Sequence, residues 1–539
     1  GIHITEKLLG EINKDNFILK PSTSAVSYFE DGMIGILEQD NSFQKVSAEK
    51  VLIATGASEK VIPFPGSDLP GIYGAGGVQT LMNVYGVRPG NRVLMVGAGN
   101  IGLIVSYQLI QAGVEVVAII EALNRVGGYD VHAKKTERLG VPILLRHSII
   151  EAKGKEQVES VITGELNDRW EFIPGSEREL FVDTVCLAVG LNPSTELLWQ
   201  ADCEMKYIPE LGGFIAVHDE NMKTSNDRIY IAGDCAGISE ASSAMVEGRI
   251  AGLSISKALG KAPSDFNGRL KEFRTQLYSL RQGSTGEKVL VGKMKLMNEE
   301  KTISMLKVKA PEVEISEERK KAKPYIVIEC FQDIPCNPCE ASCKFKAITI
   351  GNNITSLPVF EPEKCTGCMN CISYCPGLAI FGVDFRTEEK NQVILILPYE
   401  MLPVPEKNDT VYATDREGKI KCKAKVTNVI KNPFPNMTHK VSIRIPKDFL
   451  NDIRGFKVSN KEETIICRCE DVTEGEIVAL IEKGYHTFDE LKRFLRVGMG
   501  PCQGRTCRPL ILNMIKKYTG KNIGDLEPGT FRPPAIPVK

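Results

Sequence analysis

Twelve of the sixteen cysteines in this 539-residue chain fall into three tight groups. Cys330, Cys336, Cys339 and Cys343 form the first, Cys365, Cys368, Cys371 and Cys375 the second, and Cys467, Cys469, Cys502 and Cys507 the third. The second group reads C-x2-C-x2-C-x3-C-P, a spacing at which thiolates hold iron–sulfur clusters. The chemistry implied is the transfer of electrons one at a time. Soft sulfur matches iron, and the thiolate charge offsets that of the cluster. The first group departs from this spacing. Asp333 stands where its first ligand would fall, Cys330 lies three residues earlier, and Lys344 replaces the counterpart of Pro376. Each run is followed by an Ala-Ile pair, Ala347-Ile348 and Ala379-Ile380, which marks an internal repeat.

In two-cluster ferredoxins the last cysteine of each run crosses to the other cluster. Cys330, Cys336, Cys339 and Cys375 are therefore expected to hold one 4Fe–4S cluster, and Cys343, Cys365, Cys368 and Cys371 the other. The third group is Cys467-x-Cys469 and, after 32 residues, Cys502-x4-Cys507. Thr473-Glu474-Gly475-Glu476 fits a capping box that starts a helix just after its first pair. Gly498, Gly500 and Gly504 would let backbone N–H groups crowd the sulfurs. Zinc is the competing occupant of all three groups, although zinc sites rarely use closely spaced cysteines in such a repeat. Cys422 lies in a strand-like patch and reads as structural. Cys186, Cys203 and Cys235 are isolated and read as small buried apolar residues.

The elements that must deliver electrons to such clusters lie in the first half. Residues 92–121 run from an apolar strand, Val93 to Val96, into Gly97-Ala98-Gly99-Asn100-Ile101-Gly102. A helical stretch follows, then a second apolar strand ending on Glu121. This is G-x-G-x-x-G in its required context of strand, turn and helix. The turn can bring backbone close to a pyrophosphate at a helix N-terminus, with Gly97, Gly99, Asn100, Ile101 and Gly102 around it. Glu121 suits a ribose 2′-hydroxyl and would repel a 2′-phosphate, which favours NAD over NADP. The competing reading is a structural α/β turn without nucleotide. Two further strand ends flank this lobe: Val51 to Gly56, ending Ala-Thr-Gly, and Arg228 to Asp234, ending Gly-Asp, with a helical stretch from Ser239 to Leu253.

In this order the pieces resemble the two-dinucleotide-binding flavoprotein reductases. The resemblance implies that Thr55, Gly56, Gly233 and Asp234 contact FAD and that Gly190, in Val189-Gly190-Leu191-Asn192-Pro193, closes the NAD lobe. Such proteins open with their own GxGxxG for the FAD pyrophosphate, and none precedes residue 51. Truncation, a separate chain and loss of FAD all account for that, and truncation is the favoured expectation. The dithiol that disulfide-reducing members carry beside the flavin has no counterpart here, so the clusters offer the electrons' exit. The third cysteine group, Gly-Met-Gly-Pro-Cys-Gln-Gly-Arg-Thr-Cys included, resembles the bacterioferritin-associated-ferredoxin-like 2Fe–2S domain.

The whole order resembles the α, electron-transfer, subunits of dye-linked proline dehydrogenase, opine oxidase and hydrogen cyanide synthase. The stretches that carry this are ATGASEKVIPFPGSDLPGIYGAGGVQTLMN, IPGSEREL, ELGGFIAVHDENMKTS and GMGPCQGRTC. The fold class expected is α/β, a two-dinucleotide-binding flavoprotein with an α+β two-cluster ferredoxin domain, a small β-rich module and a small helical 2Fe–2S domain. An FAD-binding domain is expected in two segments, 1–88 and 181–262, around an NAD lobe at 89–180. A helical, charged linker at 263–323 comes next. The ferredoxin domain follows at 324–386, the β-rich module at 387–462, the 2Fe–2S domain at 463–520 and a tail at 521–539.

The resemblance implies FAD, NAD(H), two 4Fe–4S clusters and one 2Fe–2S cluster as cofactors. The partner it implies is a flavin-containing protein of the D-amino-acid-oxidase type, with a ferredoxin or another small carrier as an electron acceptor. No catalytic amine site, Ser/His/Asp arrangement or paired histidine spacing is visible. A net charge of −1 gives no reason to expect a nucleic acid. No apolar run suffices to cross a bilayer, and no signal-peptide pattern opens the chain, so a cytoplasmic protein is expected. Three readings remain open: the α-type subunit of an amino- or imino-acid dehydrogenase complex, a free-standing NADH:ferredoxin-type reductase, and a non-catalytic electron-wiring scaffold.

Overall fold

Val93, Leu94 and Met95 are wholly buried, because the strand Arg92–Val96 lies inside a parallel sheet, where both faces are covered. Thr184–Leu187 flanks it on one side and Glu115–Glu121 on the other, with Ile72–Gly74 and Ile143–Leu145 at the edges. The helix Asn100–Gln111 follows the glycine turn, as the strand–turn–helix pattern requires. The computed structural model describes residues 2–12, 16–297, 315–387, 389, 391–433, 438–458, 465–467, 470, 472–499, 507–521 and 526.

Around this lobe the flavoprotein half closes through short pairings. Val51–Ile53 pairs in parallel with Ile229–Ile231, and Ala57–Glu59 pairs antiparallel with Leu191–Pro193. The long helix Ala241–Ala258 places Val246, Ile250 and Ala251 on one stripe, which packs against Leu270 and Leu277 of the helix Phe266–Leu280. The stretch 263–323, expected as a helical, charged linker, is helical on both sides of residue 283. The helix Ser284–Leu296 buries Val289 and Leu296 against Leu211 and Ile215.

A seven-stranded sheet carries the cysteine runs. Its order is Tyr325–Ile328, Ile380–Asp384, Gln392–Tyr399, His439–Pro446, Ile420–Ile430, Thr410–Thr414 and Gly455–Lys457. Val393, Leu395 and Leu397 alternate inward, as the two-residue period of a strand with one core face demands. Two strands come from the expected ferredoxin domain and five from the expected β-rich module, so both regions share one sheet. Short helices, Pro338–Ala341 and Asn370–Tyr374, carry one cysteine of each run, Cys339 and Cys371.

Two units divide the chain, Gly1–Phe456 and Lys457–Lys539. In the second, the helices Glu474–Glu482, Phe488–Leu495 and Cys507–Thr519 bury Ile477, Phe488, Leu491, Ile511 and Ile515. The first two helices open on capping boxes, Thr473 with Glu476 and Thr487 with Glu490. Among the described residues no helix is long and apolar enough to cross a membrane.

Candidate redox sites

The glycine turn has the shape a dinucleotide needs. Gly97 has φ +107°, and a Cβ there would stand 2.4 Å from the carbonyl oxygen of Ala188. A side chain at Gly99 would meet no protein atom within 4 Å, so that face of the turn is open to a ligand. Glu121 accepts the backbone N–H of Ala98 at 2.8 Å and that of Leu123 at 3.0 Å. Its carboxylate is thereby held beside the turn, where a ribose hydroxyl would reach it. Asn100 uses its side chain otherwise, accepting the Tyr129 N–H at 2.7 Å. Gly102 is buried, and Ile101 is partly exposed in the first turn of the helix.

The expected flavin residues gather through the strand pairings. Thr55 Oγ1 donates to the Ser194 carbonyl at 2.6 Å, and the Ser194 N–H donates to the Gly56 carbonyl at 3.0 Å. The Gly190 carbonyl accepts the Lys60 N–H at 2.9 Å. Asp234 accepts the Ser239 N–H at 3.2 Å, and burial, with Glu247 behind it, raises its carboxyl above the usual range. Ser239 Oγ is buried with no hydrogen-bond partner. A buried hydroxyl left so beside Asp234 is what a missing polar ligand leaves behind, and the residues present fit a flavin there.

Cys330 reaches its neighbours through the sheet rather than through local spacing. Tyr325–Ile328 runs antiparallel to Ile380–Asp384, with Ile328 opposite Ile380. One step on, the Glu329 N–H donates to the Ala379 carbonyl at 2.8 Å. That register sets Cys330 beside the turn after Cys375. Cys330, Cys336 and Cys375 pack on one apolar group of Tyr129, Val131, Ile334 and Ala379. Burial first, and then the neighbouring Cys375, pushes the Cys330 and Cys336 thiols up to about 12 and Cys339 to about 11. Thiols so placed resist ionising together until a cation replaces their protons.

Cys343, Cys365, Cys368 and Cys371 line one small, partly open cavity. Burial and then Cys365, Cys368 and Cys343 raise the Cys371 thiol to about 12. The repeat is visible in the backbone. The Ala347 N–H donates to Cys343 Sγ at 3.2 Å, and the Ala379 N–H to Cys375 Sγ at 3.4 Å. Among the described residues no three His, Cys, Asp or Glu side chains close on a single metal ion. Four thiols around a cavity suit a multi-iron cluster. In the second unit Cys467 and Cys507 are buried in one core, while Cys469 and Cys502 lie outside the described residues.

Residues 7–248 match the family model described as pyridine nucleotide-disulphide oxidoreductase. Residues 358–381 match a 4Fe-4S binding domain and residues 465–517 a BFD-like [2Fe-2S] binding domain. An opine oxidase subunit of Rhizobium meliloti is 32% identical over 230 residues, which are 41% of this chain and 43% of that protein. The hydrogen cyanide synthase subunit HcnB of Pseudomonas protegens is 27% identical over 236 residues, 41% of this chain and 50% of its own. The chain thus spans about half the length of the curated relatives it matches. The crystal structure of L-proline dehydrogenase from P. horikoshii aligns with 100% of this chain and 67% of its own at 17% identity and TM-score 0.38.

A buried charge network missed by the sequence reading supports the Gly233–Asp234 turn. Glu247 accepts the Gly233 N–H at 2.9 Å and pairs with the Arg281 guanidinium. Lys293 Nζ donates to the Ala236 carbonyl at 2.8 Å and lies 3.3 Å from Glu247 and 3.0 Å from His218 Nε2. Burial pushes the Glu247 carboxyl up, but Lys293 and Arg281 outweigh it and hold it below the usual range. Burial, and then Lys293, pushes His218 down to about 3, so the imidazole is neutral. The signal was present: Glu247 falls on the same helical stripe as Ser243, Val246, Ile250 and Ala251. An acid on an apolar stripe asks for a buried cation, here supplied 34 residues on by Arg281.

Proposed function

We propose that this chain is the electron-transfer subunit of a flavo-iron–sulfur oxidoreductase. In this reading it works beside a flavin-containing partner of the D-amino-acid-oxidase type, which oxidises an amino or imino acid of the proline, glycine or opine type. The observation that carries the reading is the apolar group joining Cys330, Cys336 and Cys375 to Tyr129 and Val131 of the nucleotide lobe. A pyridine-nucleotide site and a cluster site share that core. The subunit names of the two relatives support an assembly with a partner.

When bound, a flavin supplies the exchange of electron pairs on one side and of single electrons on the other. The chain's own groups bind and orient. Glu121 takes a ribose hydroxyl and disfavours a 2′-phosphate, so NAD(H) is the nucleotide. Thr55, Gly56, Gly233 and Asp234 line the flavin site, and Glu247 with Lys293 fixes the turn that presents Asp234. Cys330, Cys336, Cys339 and Cys375 hold one 4Fe–4S cluster, Cys343, Cys365, Cys368 and Cys371 a second. Cys467, Cys469, Cys502 and Cys507 hold a 2Fe–2S cluster. Reduced thiols of this number suit the cytoplasm.

Iron and acid-labile sulfide per chain, with EPR of the reduced protein, test the reading. The expected result is about ten Fe, eight from two cubanes and two from the 2Fe–2S centre. About six Fe would remove the Cys330 cluster, and zinc in place of iron would overturn electron transfer altogether. NADH that bleaches the flavin of this chain alone would replace the partner-dependent reading with a free-standing reductase.

A further inference from the structure

The helix Asp130–Glu137 belongs to the nucleotide lobe by sequence, yet it lies along the first cysteine set. Its start is fixed to the Cys330 loop, where the Asp130 N–H donates to Gln332 Oε1 at 2.8 Å. Its end is fixed to the Cys375 turn. Lys135 Nζ donates to the Pro376 carbonyl at 3.3 Å and the Arg138 guanidinium to the Leu378 carbonyl at 3.1 Å. The approach depends on Gly377, since a Cβ there would stand 2.8 Å from Val131 Cβ. Lys134 Nζ lies 5.4 Å from the Phe331 ring centre, and the Arg138 guanidinium 5.6 Å from that of Phe381.

Three cations thus converge on this set from one helix. Lys134 acts on Cys330, and Arg138 and Lys135 act on Cys375. Acids oppose them in part. Glu240 faces Cys336, Glu340 faces Cys339, and Lys135 is shared with Glu400 at 3.5 Å. The second set has a buried cation of its own, the Arg319 guanidinium, which donates to the Cys365 carbonyl at 3.0 Å. Reduction adds one negative charge to a cluster, so nearby cations in a water-poor site stabilise the reduced form.

We propose that Lys134, Lys135 and Arg138 raise the reduction potential of the cluster of Cys330, Cys336, Cys339 and Cys375. This rests on the reading that the eight cysteines hold two 4Fe–4S clusters. The step is one electron in from the donor, a reduced flavin or dithionite in the test, and one electron out to the next carrier. No bond forms or breaks, and no proton moves at the cluster.

The experiment is an EPR-monitored redox titration of the full chain beside Lys134→Gln, Arg138→Gln and the double variant. Cys371→Ser assigns the two cubane signals by removing the second. In the double variant the first signal should shift downward by about tenfold in its reduced-to-oxidised ratio, about 59 mV for one electron, while the second stays. Midpoints that stay put, or move together, overturn the proposal. Should Arg138→Gln lose iron, Lys134→Gln decides alone: a smaller downward shift confined to the first signal supports the proposal, and none overturns it. Fewer than about eight cubane Fe in the unsubstituted chain fails the two-cluster reading itself, a separate result read from iron analysis.

Discussion

Cys336 and Cys368 belong to adjacent four-cysteine sets, yet one packs with Tyr129 and Val131 while the other is exposed at the mouth of a cavity. The first set is closed by a helix from another lobe. Its charges come from Lys134, Lys135 and Arg138. The second set has Ile326, Ile348, Phe360 and Ile372 beneath it and the buried Arg319 guanidinium on the Cys365 carbonyl at 3.0 Å. Equal ligands in unequal surroundings make unequal carriers, because burial, hydrogen bonding and local charge set a cluster's potential and lability. The first set packs against the nucleotide lobe with its four cysteines partly exposed, while the second combines buried Cys365 and Cys371 with the exposed Cys368.

The strongest way to break this comparison is to remove one set at a time. Cys371→Ser should lose about four of ten Fe and leave both the other cubane and the 2Fe–2S signal. Cys336→Ser should do the same for the first set. Loss of both cubanes from either substitution would show one shared site rather than two. Unsubstituted protein offers a softer version. A chelator should strip iron in two phases, the faster belonging to the set with exposed Cys368, and a single phase would erase the distinction.

Next in size is Glu329→Ala. Glu329 precedes Cys330, is buried, and pairs with Arg454 at 2.7 Å and Arg416 at 2.6 Å. Removing it leaves the buried Arg454 uncompensated, a loss of about 3–5 kcal/mol of stability. Thermal or denaturant unfolding measures that loss, and the first cubane should become labile before the second. Gly377→Val is gentler. It forces apart the cluster turn and Val131 at about 1–3 kcal/mol, and iron loss should again start in the first set. Equal lability of both sets in either variant would mean that the helix Asp130–Glu137 seals neither.

Much of this was legible in the sequence, and the failures have physical causes. The glycine turn, Glu121 and the Cys365–Cys375 run are local patterns, and each forms the local structure its spacing demands. Cys330 looked irregular because its partnership is set by sheet register between strands about fifty residues apart, which spacing cannot report. Spacing places Asn100 at the nucleotide turn but does not report that its side chain also holds the Tyr129 N–H at 2.7 Å. The cations over the first set were invisible for a related reason. Lys134, Lys135 and Arg138 read as an ordinary charged helix until the fold laid it across another region.

The smallest expected effect supplies the control. Thr473 and Glu476 form a reciprocal cap at the start of Glu474–Glu482, in the unit Lys457–Lys539. Thr473→Ala leaves the Glu476 N–H without its side-chain acceptor and should cost about 1 kcal/mol. The substitution touches neither four-cysteine set. A drop in the 2Fe–2S domain's unfolding midpoint, with both cubane signals and their order of iron loss unchanged, is the expected outcome. If the order of loss changed as well, lability would track general loosening of the chain, and the contrast between the two sets would lose its local cause.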